Sequence, residues 1–429
     1  MVSVKFTAEN MPKCYAILVD FQSSIDHLAL QILKGEPKMY FGYLSDKNGG
    51  VFSNSEIERF IWEEEHHDIQ KLETDRSQSI KSMSSGERKR VLLENVLAQS
   101  PEFLVLVNPF DNLDSTFQRT LRERLLKIAQ AIPIVQLVNR LNDILPNTDY
   151  FFAYGSKRQL IPFPNQMALA NSILKNEITN WEQRIPTSTD TSKKYNGKTL
   201  VVFKNVSVSY NGRPVLDGIT WTIKQGDFWE LVGPNGSGKT TLLTLITGDN
   251  HKGYGQDLTL FGQKKGSGES VWDIKESIGY FTPSLIDQFS GYHSALDMVI
   301  SGFHDSVGLY QKPSDAEIRT ATAWLQLLNL GTKTKLLFKT LTRGEKRLIM
   351  LARAMIKHPS LLILDEPTAG LDDKNARIFI ALVNKISVES STAIIFVSHR
   401  KELGLSPKAT FSLEPKKTGS VGKVTLSLS

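Results

Sequence analysis

The stretch Gly233-Pro234-Asn235-Gly236-Ser237-Gly238-Lys239-Thr240 meets every fixed position of the phosphate-loop pattern G-x-x-x-x-G-K-[ST]. The apolar run Phe228 to Val232 before it reads as a strand, and Thr241 to Thr247 after it reads as a helix. Glycines let a backbone close around phosphates, and successive N–H groups at a helix N-terminus meet the negative charge. Lys239 is placed to reach the β- and γ-phosphates and Thr240 to ligate Mg²⁺, with Gly233, Pro234, Asn235, Gly236, Ser237, Gly238 and Thr241 completing the cradle.

Working outward, the apolar run Leu361-Leu362-Ile363-Leu364 ends in Asp365 and Glu366. A carboxylate at that strand end can hold the Mg²⁺ water shell, and the next can orient or deprotonate an attacking water. A later run, Ala393 to Val397, ends in Ser398-His399-Arg400, which makes His399 a candidate contact for the γ-phosphate. Tyr210 lies upstream of the loop at a distance suited to stacking on adenine.

The chain also contains a repeat. Ser84 to Asp114 aligns without a gap to Thr342 to Asp372, with Gly-Glu, the Ser-Pro or His-Pro step, the apolar strand and Leu-Asp in register. Each copy is expected to form a Gly-Glu turn, an amphipathic helix, a Pro-marked break and a buried parallel strand.

The loop GPNGSGKTT, the turn LTRGE, the strand LLILDEP, the turn AGLD and the end SHR resemble, in order and spacing, the nucleotide-binding domain of ABC ATPases. The resemblance implies an α/β P-loop NTPase fold: a RecA-like core, an antiparallel β-subdomain and an α-helical subdomain in each of two domains, the first one reduced. It also implies MgATP hydrolysis, and a head-to-tail pairing in which each site joins one domain's phosphate loop to the other's signature turn. Segments such as SYNGRPVLDGITW, LITGDNHKGY and NPFDNLD extend the similarity to tandem ABC proteins of the PhrA/ModF type.

The first copy is eroded. Aligning His27 with Thr240 puts Asp20 to Asp26 at the phosphate loop, so that Asp26 stands where Lys239 does. A carboxylate there repels triphosphate. Val107, Asn108 and Asn139 stand where Asp365, Glu366 and His399 do. Its signature turn survives, however: Met83-Ser84-Ser85-Gly86-Glu87 keeps Ser and Gly, whereas the second copy has Arg343 where the family prefers Gly. In the family's geometry this yields one competent composite site, with Ser84, Gly86 and Asp114 supplied in trans. Where the family has a Gln that helps hold Mg²⁺ and couples to a membrane partner, this chain has Pro283; Gln288 lies nearby at the wrong spacing.

The expected domains are 1–156, a helical linker 157–197 and 198–429. In the linker, Met167, Leu169, Ile173, Leu174, Ile178 and Trp181 form an apolar stripe expected to pack on a neighbouring domain, and Pro186 to Lys194 is polar. A length of 429 residues suits two domains, and 40% hydrophobic with 22% charged residues suits a globular chain. Fifty-one Lys+Arg against 45 Asp+Glu gives +6, which permits contact with nucleic acid or anionic lipid without requiring it. No apolar run approaches the roughly 18 to 20 residues of a spanning helix. Cys14 is the sole cysteine, excluding internal disulfides and four-thiolate metal sites. With no targeting segment in Met1 to Asn10, a reducing, cytoplasmic location is expected, a mitochondrial or peripheral membrane one being the alternative. Glu63 to Asp68 (EEEHHD) reads as an exposed helix face rather than a metal cluster, and Gly262 to Gly268 as a surface turn. Three functional classes follow: an ATP-driven switch acting on an unknown protein partner, an ATP-binding subunit for separate membrane domains, and a nucleic-acid- or ribosome-associated tandem protein.

Overall fold

The computed structural model describes residues 14–19, 25–67, 79–155, 158–174, 183–187, 195, 197–268, 270–289, 291–399 and 402–426. The chain divides into two compact units, Met1–Ile178 with Gly370–Lys374, and Thr179–Ala369 with Asn375–Ser429.

The first unit is built on β1 (Cys14–Val19), β2 (Gly49–Phe52), β3 (Phe103–Val107), β4 (Ile134–Val138), β5 (Tyr150–Tyr154) and β6 (Leu160–Phe163). Their spatial order is β2-β3-β4-β1-β5-β6, parallel except for the β5–β6 pair. Central parallel strands are covered on both faces and therefore read as unbroken apolar runs; CYAILV, FLVLV and IVQLV are buried at every position. The exception, Gln136, is satisfied: its amide nitrogen donates to Cys14 Sγ (3.1 Å) and Thr148 Oγ1 (3.3 Å), and its oxygen accepts from Leu145 N–H (3.0 Å).

The second unit adds β7 (Thr199–Tyr210), β8 (Arg213–Lys224), β9 (Phe228–Val232), β10 (Leu258–Leu260), β11 (Gln263–Lys264), β12 (Ile278–Phe281), β13 (Leu361–Asp365), β14 (Ala393–Val397), β15 (Ala409–Glu414) and β16 (Val421–Leu426). Its main sheet runs β12-β13-β14-β9-β15-β16 with the same senses as the first, so the repeat holds strand for strand. An antiparallel sheet, β11-β10-β7-β8, belongs to this unit alone among the described residues. Trp221 on β8 fastens it to the core by stacking on Phe411 of β15 (4.3 Å between centroids) and meeting Trp229 of β9 edge-on. A side chain of that size, 2% exposed, contributes on the order of 2–3 kcal/mol by burial. Between β12 and β13 lie the helices Ala295–Ile300, Asp315–Leu327 and Arg343–Met355; the matching interval of the first unit holds Asn54–His67 and Ser85–Ala98 among the described residues.

Several local readings change. The Gly-Glu step is not a turn before a helix but lies inside its first turn. Ser84 and Thr342 are N-caps closed by Glu87 and Glu345 in capping boxes, the S/T-x-x-E signature. The segment read as a surface turn contributes the edge strand β11, and Lys265 beside it is 3% exposed, its ammonium over the Tyr254 ring. The apolar stripe holds only in part. The helix Gln166–Leu174 buries Leu169 against Ala16, Leu18 and Val138, but Met167 is 73% exposed because it faces away from that sheet. Ile178, Trp181, Lys193 and Lys194 lie outside the described residues, as do Met1 to Lys13.

Candidate functional site

In the second unit, β9 delivers the chain into the phosphate loop and the helix Lys239–Ile246 leaves it. Gly236 and Gly238 take φ of 75° and 93°, a left-handed region that a Cβ disfavours, so the tight wrap needs glycine at both places. Lys239 Nζ donates to Gly233 O (2.7 Å) and Pro234 O (3.0 Å), which centres the ammonium in the loop. Ser237 is 1% exposed and its hydroxyl finds no protein partner, an orphan donor at the place where a phosphate oxygen would accept.

Asp365 closes β13. Burial pushes its carboxyl above the usual carboxylate range, and Glu366 next to it pushes further; a 3.4 Å bond from Tyr280 O–H and the charges of Lys239 and His399 offset only part. An under-compensated carboxylate together with the exposed Thr240 hydroxyl suits a hard divalent cation with oxygen ligands, so these residues fit Mg²⁺. Among the described residues there is no group of three His, Cys, Asp or Glu side chains that could hold a metal by themselves. Within Glu63 to Asp68, Glu64 accepts from Ile80 N–H, Glu65 pairs with Lys81 and His66 meets Trp62 O; the His67 side chain and Asp68 lie outside what is described.

The sign of the Asp365 shift gives a prediction. A carboxyl whose folded value is raised leaves the folded chain holding more proton than the unfolded one above the ordinary carboxylate range, so stability falls as pH rises through that window. Once ionised, Asp365 is a cost to the nucleotide-free fold. Asp365→Asn should therefore raise the nucleotide-free Tm by roughly 1–3 °C at pH 7.5, less at pH 4, while removing Mg²⁺-dependent hydrolysis. Thermal melts at both pH values check it, and a lower Tm at pH 7.5 would refute the electrostatic account.

Glu366 sits at φ 52°, a left-handed conformation that a non-Gly, non-Asn residue adopts at a cost of about 1–3 kcal/mol, and such strain clusters at functional positions. Its N–H bonds Val397 O (3.0 Å), and its Oε1 lies 2.5 Å from His399 Nε2. Read as separate motifs these two residues have separate roles; the fold brings them together. Tyr210 closes β7 at an Asn211-Gly212 hairpin, both at positive φ, and its hydroxyl accepts from Asn250 Nδ2 (2.7 Å). Neither Asn250 nor Tyr280 was signalled by any motif, and Glu402, which accepts from Thr368 Oγ1 at the turn after Glu366, was equally silent. Pro283 opens a 3₁₀ segment, Pro283–Gln288, and Gln288 is exposed.

The same frame in the first unit carries different groups. Asn108 keeps the left-handed backbone of Glu366 (φ 42°), which asparagine tolerates far better, and its N–H bonds Leu137 O (2.9 Å). Its side chain meets that of Asn139, Nδ2 donating to Oδ1 (2.5 Å), while Asn139 Nδ2 donates to Val19 O at the end of β1 (2.8 Å). A neutral amide pair thus replaces the Glu366–His399 pair. Val107 is buried at the strand end, and Asp26 accepts from Ser55 Oγ (2.9 Å) in the first turn of the helix Ile25–Leu33. Asp20 to Ser24 lie outside the described residues. The signature turn is intact, with Ser84 Oγ donating to Glu87 Oε2 (2.7 Å) and Asp114 Oδ1 capping Phe117 N–H (2.9 Å). A Cβ on Gly86 would come within 2.8 Å of the Phe117 ring, and one on Gly344 within 2.1 Å of Asn375 Oδ1, so close approach by the next helix requires glycine at both.

Comparison with known proteins bears on this arrangement. The ABC transporter family profile matches residues 216–369. The ABC transporter ATP-binding protein ModF of Escherichia coli K12 is 38% identical over 336 residues, which cover 75% of this chain and 67% of ModF. The chain belongs to the ABC ATP-binding protein family. An uncharacterized ABC transporter ATP-binding protein of Schizosaccharomyces pombe is 28% identical over 331 residues, 76% of this chain and 66% of that one. The ABC chain thus spans about two thirds of the length of both relatives. Among solved structures, "RNase-L Inhibitor" matches at a TM-score of 0.62 and 13% identity over 95% of this chain and 85% of its own. The archaeal ribosome recycling factor aABCE1, solved with ribosomal stalk protein aP1, matches at 0.60 and 15% over 96% and 85%. These two likenesses show the fold. The protein is an ABC-superfamily ATPase of tandem type that binds ATP, and no helix among its described residues is long and apolar enough to cross a membrane.

Proposed function

We propose that the two repeats form one competent ATP site, closing on MgATP and opening after hydrolysis to act on a partner protein. The observation that carries this reading is the exchange at matched strand ends: Glu366 with His399 in one repeat, Asn108 with Asn139 in the other. An amide pair can neither accept a proton from water nor balance a cation, so the first repeat has no hydrolytic chemistry of its own. Its signature turn keeps Ser84, Gly86 and Asp114, the groups the family's head-to-tail pairing would aim at the other repeat's nucleotide.

In the working cycle the loop N–H groups and Lys239 hold the β- and γ-phosphates, and Tyr210 offers its ring to adenine. Thr240 and Asp365 would hold Mg²⁺, which supplies charge neutralisation and orientation of phosphate oxygens when bound. Glu366 orients the attacking water and takes its proton. His399, 2.5 Å from Glu366, fixes that carboxylate and turns toward the γ-phosphate as the site closes. Ser84 and Gly86 present a hydroxyl and an N–H to the γ-phosphate from the trans side.

The test is substitution on the trans face. Ser84→Arg should lower kcat at least about 100-fold, comparable to loss of an oxyanion donor, without preventing ATP from binding the second repeat. Normal hydrolysis by that variant would refute the trans arrangement. Partnership with separate membrane domains is the second reading, favoured by the transporter names of the relatives and disfavoured by Pro283 at the coupling Gln.

A further inference from the structure

The turn between β3 and the helix Ser115–Ile128 is held in an unusual way. Six successive backbone carbonyls, from Asn108 to Leu113, each accept a side-chain hydrogen bond. Lys89 Nζ reaches Asn108 O (3.3 Å), Pro109 O (2.9 Å) and Asp111 O (2.8 Å). Gln118 Nε2 donates to Phe110 O (3.3 Å) and Leu113 O (2.8 Å), and Ser85 Oγ to Asn112 O (2.7 Å). Lys89 is 4% exposed, and three carbonyls match the three donors of an ammonium taken out of water.

Two of these three residues come from the signature helix Ser85–Ala98 and the third from the helix that Asp114 caps. Phe117 meanwhile rests against Gly86, at a distance that leaves no room for a Cβ. The signature turn and the Asp114 turn are therefore tied at several points and cannot shift independently. The second repeat is built otherwise. Arg343, Arg347 and Ala376 stand in place of Ser85, Lys89 and Gln118. Arg347 donates one bond, from Nη2 to Ala369 O (3.0 Å), while its Nε and Nη1 are buried without partners. The alanine methyl can donate nothing.

We propose that Lys89, assisted by Ser85 and Gln118, is a positioning residue for ATP hydrolysis: it welds the signature turn and the Asp114 turn into one rigid trans face. This rests on the composite-site reading, since only then do Ser84, Gly86 and Asp114 meet nucleotide. Lys89 touches no substrate in this account. It acts by fixing the groups that do, and a rigid, preassembled donor set is what transition-state stabilisation requires.

The experiment measures ATP turnover in the full chain per bound fluorescent nucleotide, so that loss of folded protein does not count as loss of rate. Lys89→Met should lower kcat at least about tenfold with KM within about twofold of wild type, and Lys89→Arg should recover part of the loss. Should Lys89→Met fail to fold, the Ser85→Ala/Gln118→Ala double variant takes its place with the same tenfold expectation. Wild-type kcat per bound nucleotide in the folded variant overturns the proposal, provided Ser84→Arg is inactive alongside it. Normal turnover by Ser84→Arg overturns the composite-site reading itself.

Discussion

Replacing Glu366 with Gln should lower MgATP turnover by about 10²- to 10⁴-fold, the range for loss of a positioned general base, while MgATP should stay bound. The amide is isosteric with the carboxylate and keeps the pinned N–H to Val397 O, so the site's geometry survives. What is lost is the ability to draw a proton from water. Binding then persists where hydrolysis would have ended it, and a ligand held only by the folded state raises Tm. At 100-fold excess over Kd the stabilisation is about 2.7 kcal/mol. Melting curves of Glu366→Gln should therefore rise with MgATP more than those of wild type under turnover. Turnover within tenfold of wild type would place the base elsewhere. The same variant should trap any client: a protein that co-purifies with Glu366→Gln and is absent from Lys239→Ala would be the partner the proposed cycle serves.

The second expectation is an asymmetry. Lys239→Ala removes the one ammonium centred in the loop, along with its bonds to Gly233 O and Pro234 O, and should reduce kcat/KM at least about 10³-fold. Asp26→Ala changes the matching position of the first repeat and should leave both constants within about twofold, since that carboxylate accepts from Ser55 and its charge would repel triphosphate. Steady-state ATPase assays of the two variants side by side check this. A comparable fall in both would mean that the first repeat binds nucleotide after all.

Much of this was legible in the sequence because it is written in contiguous residues. The loop, the strand ends at Asp365 and Val397, and the gapless match of Ser84 to Asp114 with Thr342 to Asp372 all follow from local pattern. The identical strand order of the two sheets is the consequence. The missed features arise from packing between distant segments. No spacing rule announces that Asn139 would turn its amide to both Asn108 and Val19, or that Lys89 would be buried under three carbonyls. Lys265 is a similar case: a Lys-Gly-Ser run looks solvated until the hairpin of β10 and β11 folds and the ammonium lies over the Tyr254 ring. Two other features do have local signatures: the S/T-x-x-E capping boxes at Ser84 and Thr342 put the signature glycines inside helices, and Asn211-Gly212 marks the hairpin between β7 and β8.

The central claim is that two unequal repeats make a single ATP site: one holds the phosphate loop, Asp365, Glu366 and His399, and the other supplies the face that closes on them. The most direct measurement is the number of nucleotides retained per chain by Glu366→Gln after incubation with MgATP and removal of free ligand. One nucleotide per chain, absent when Lys239→Ala is added, is the predicted result; two per chain would contradict the account.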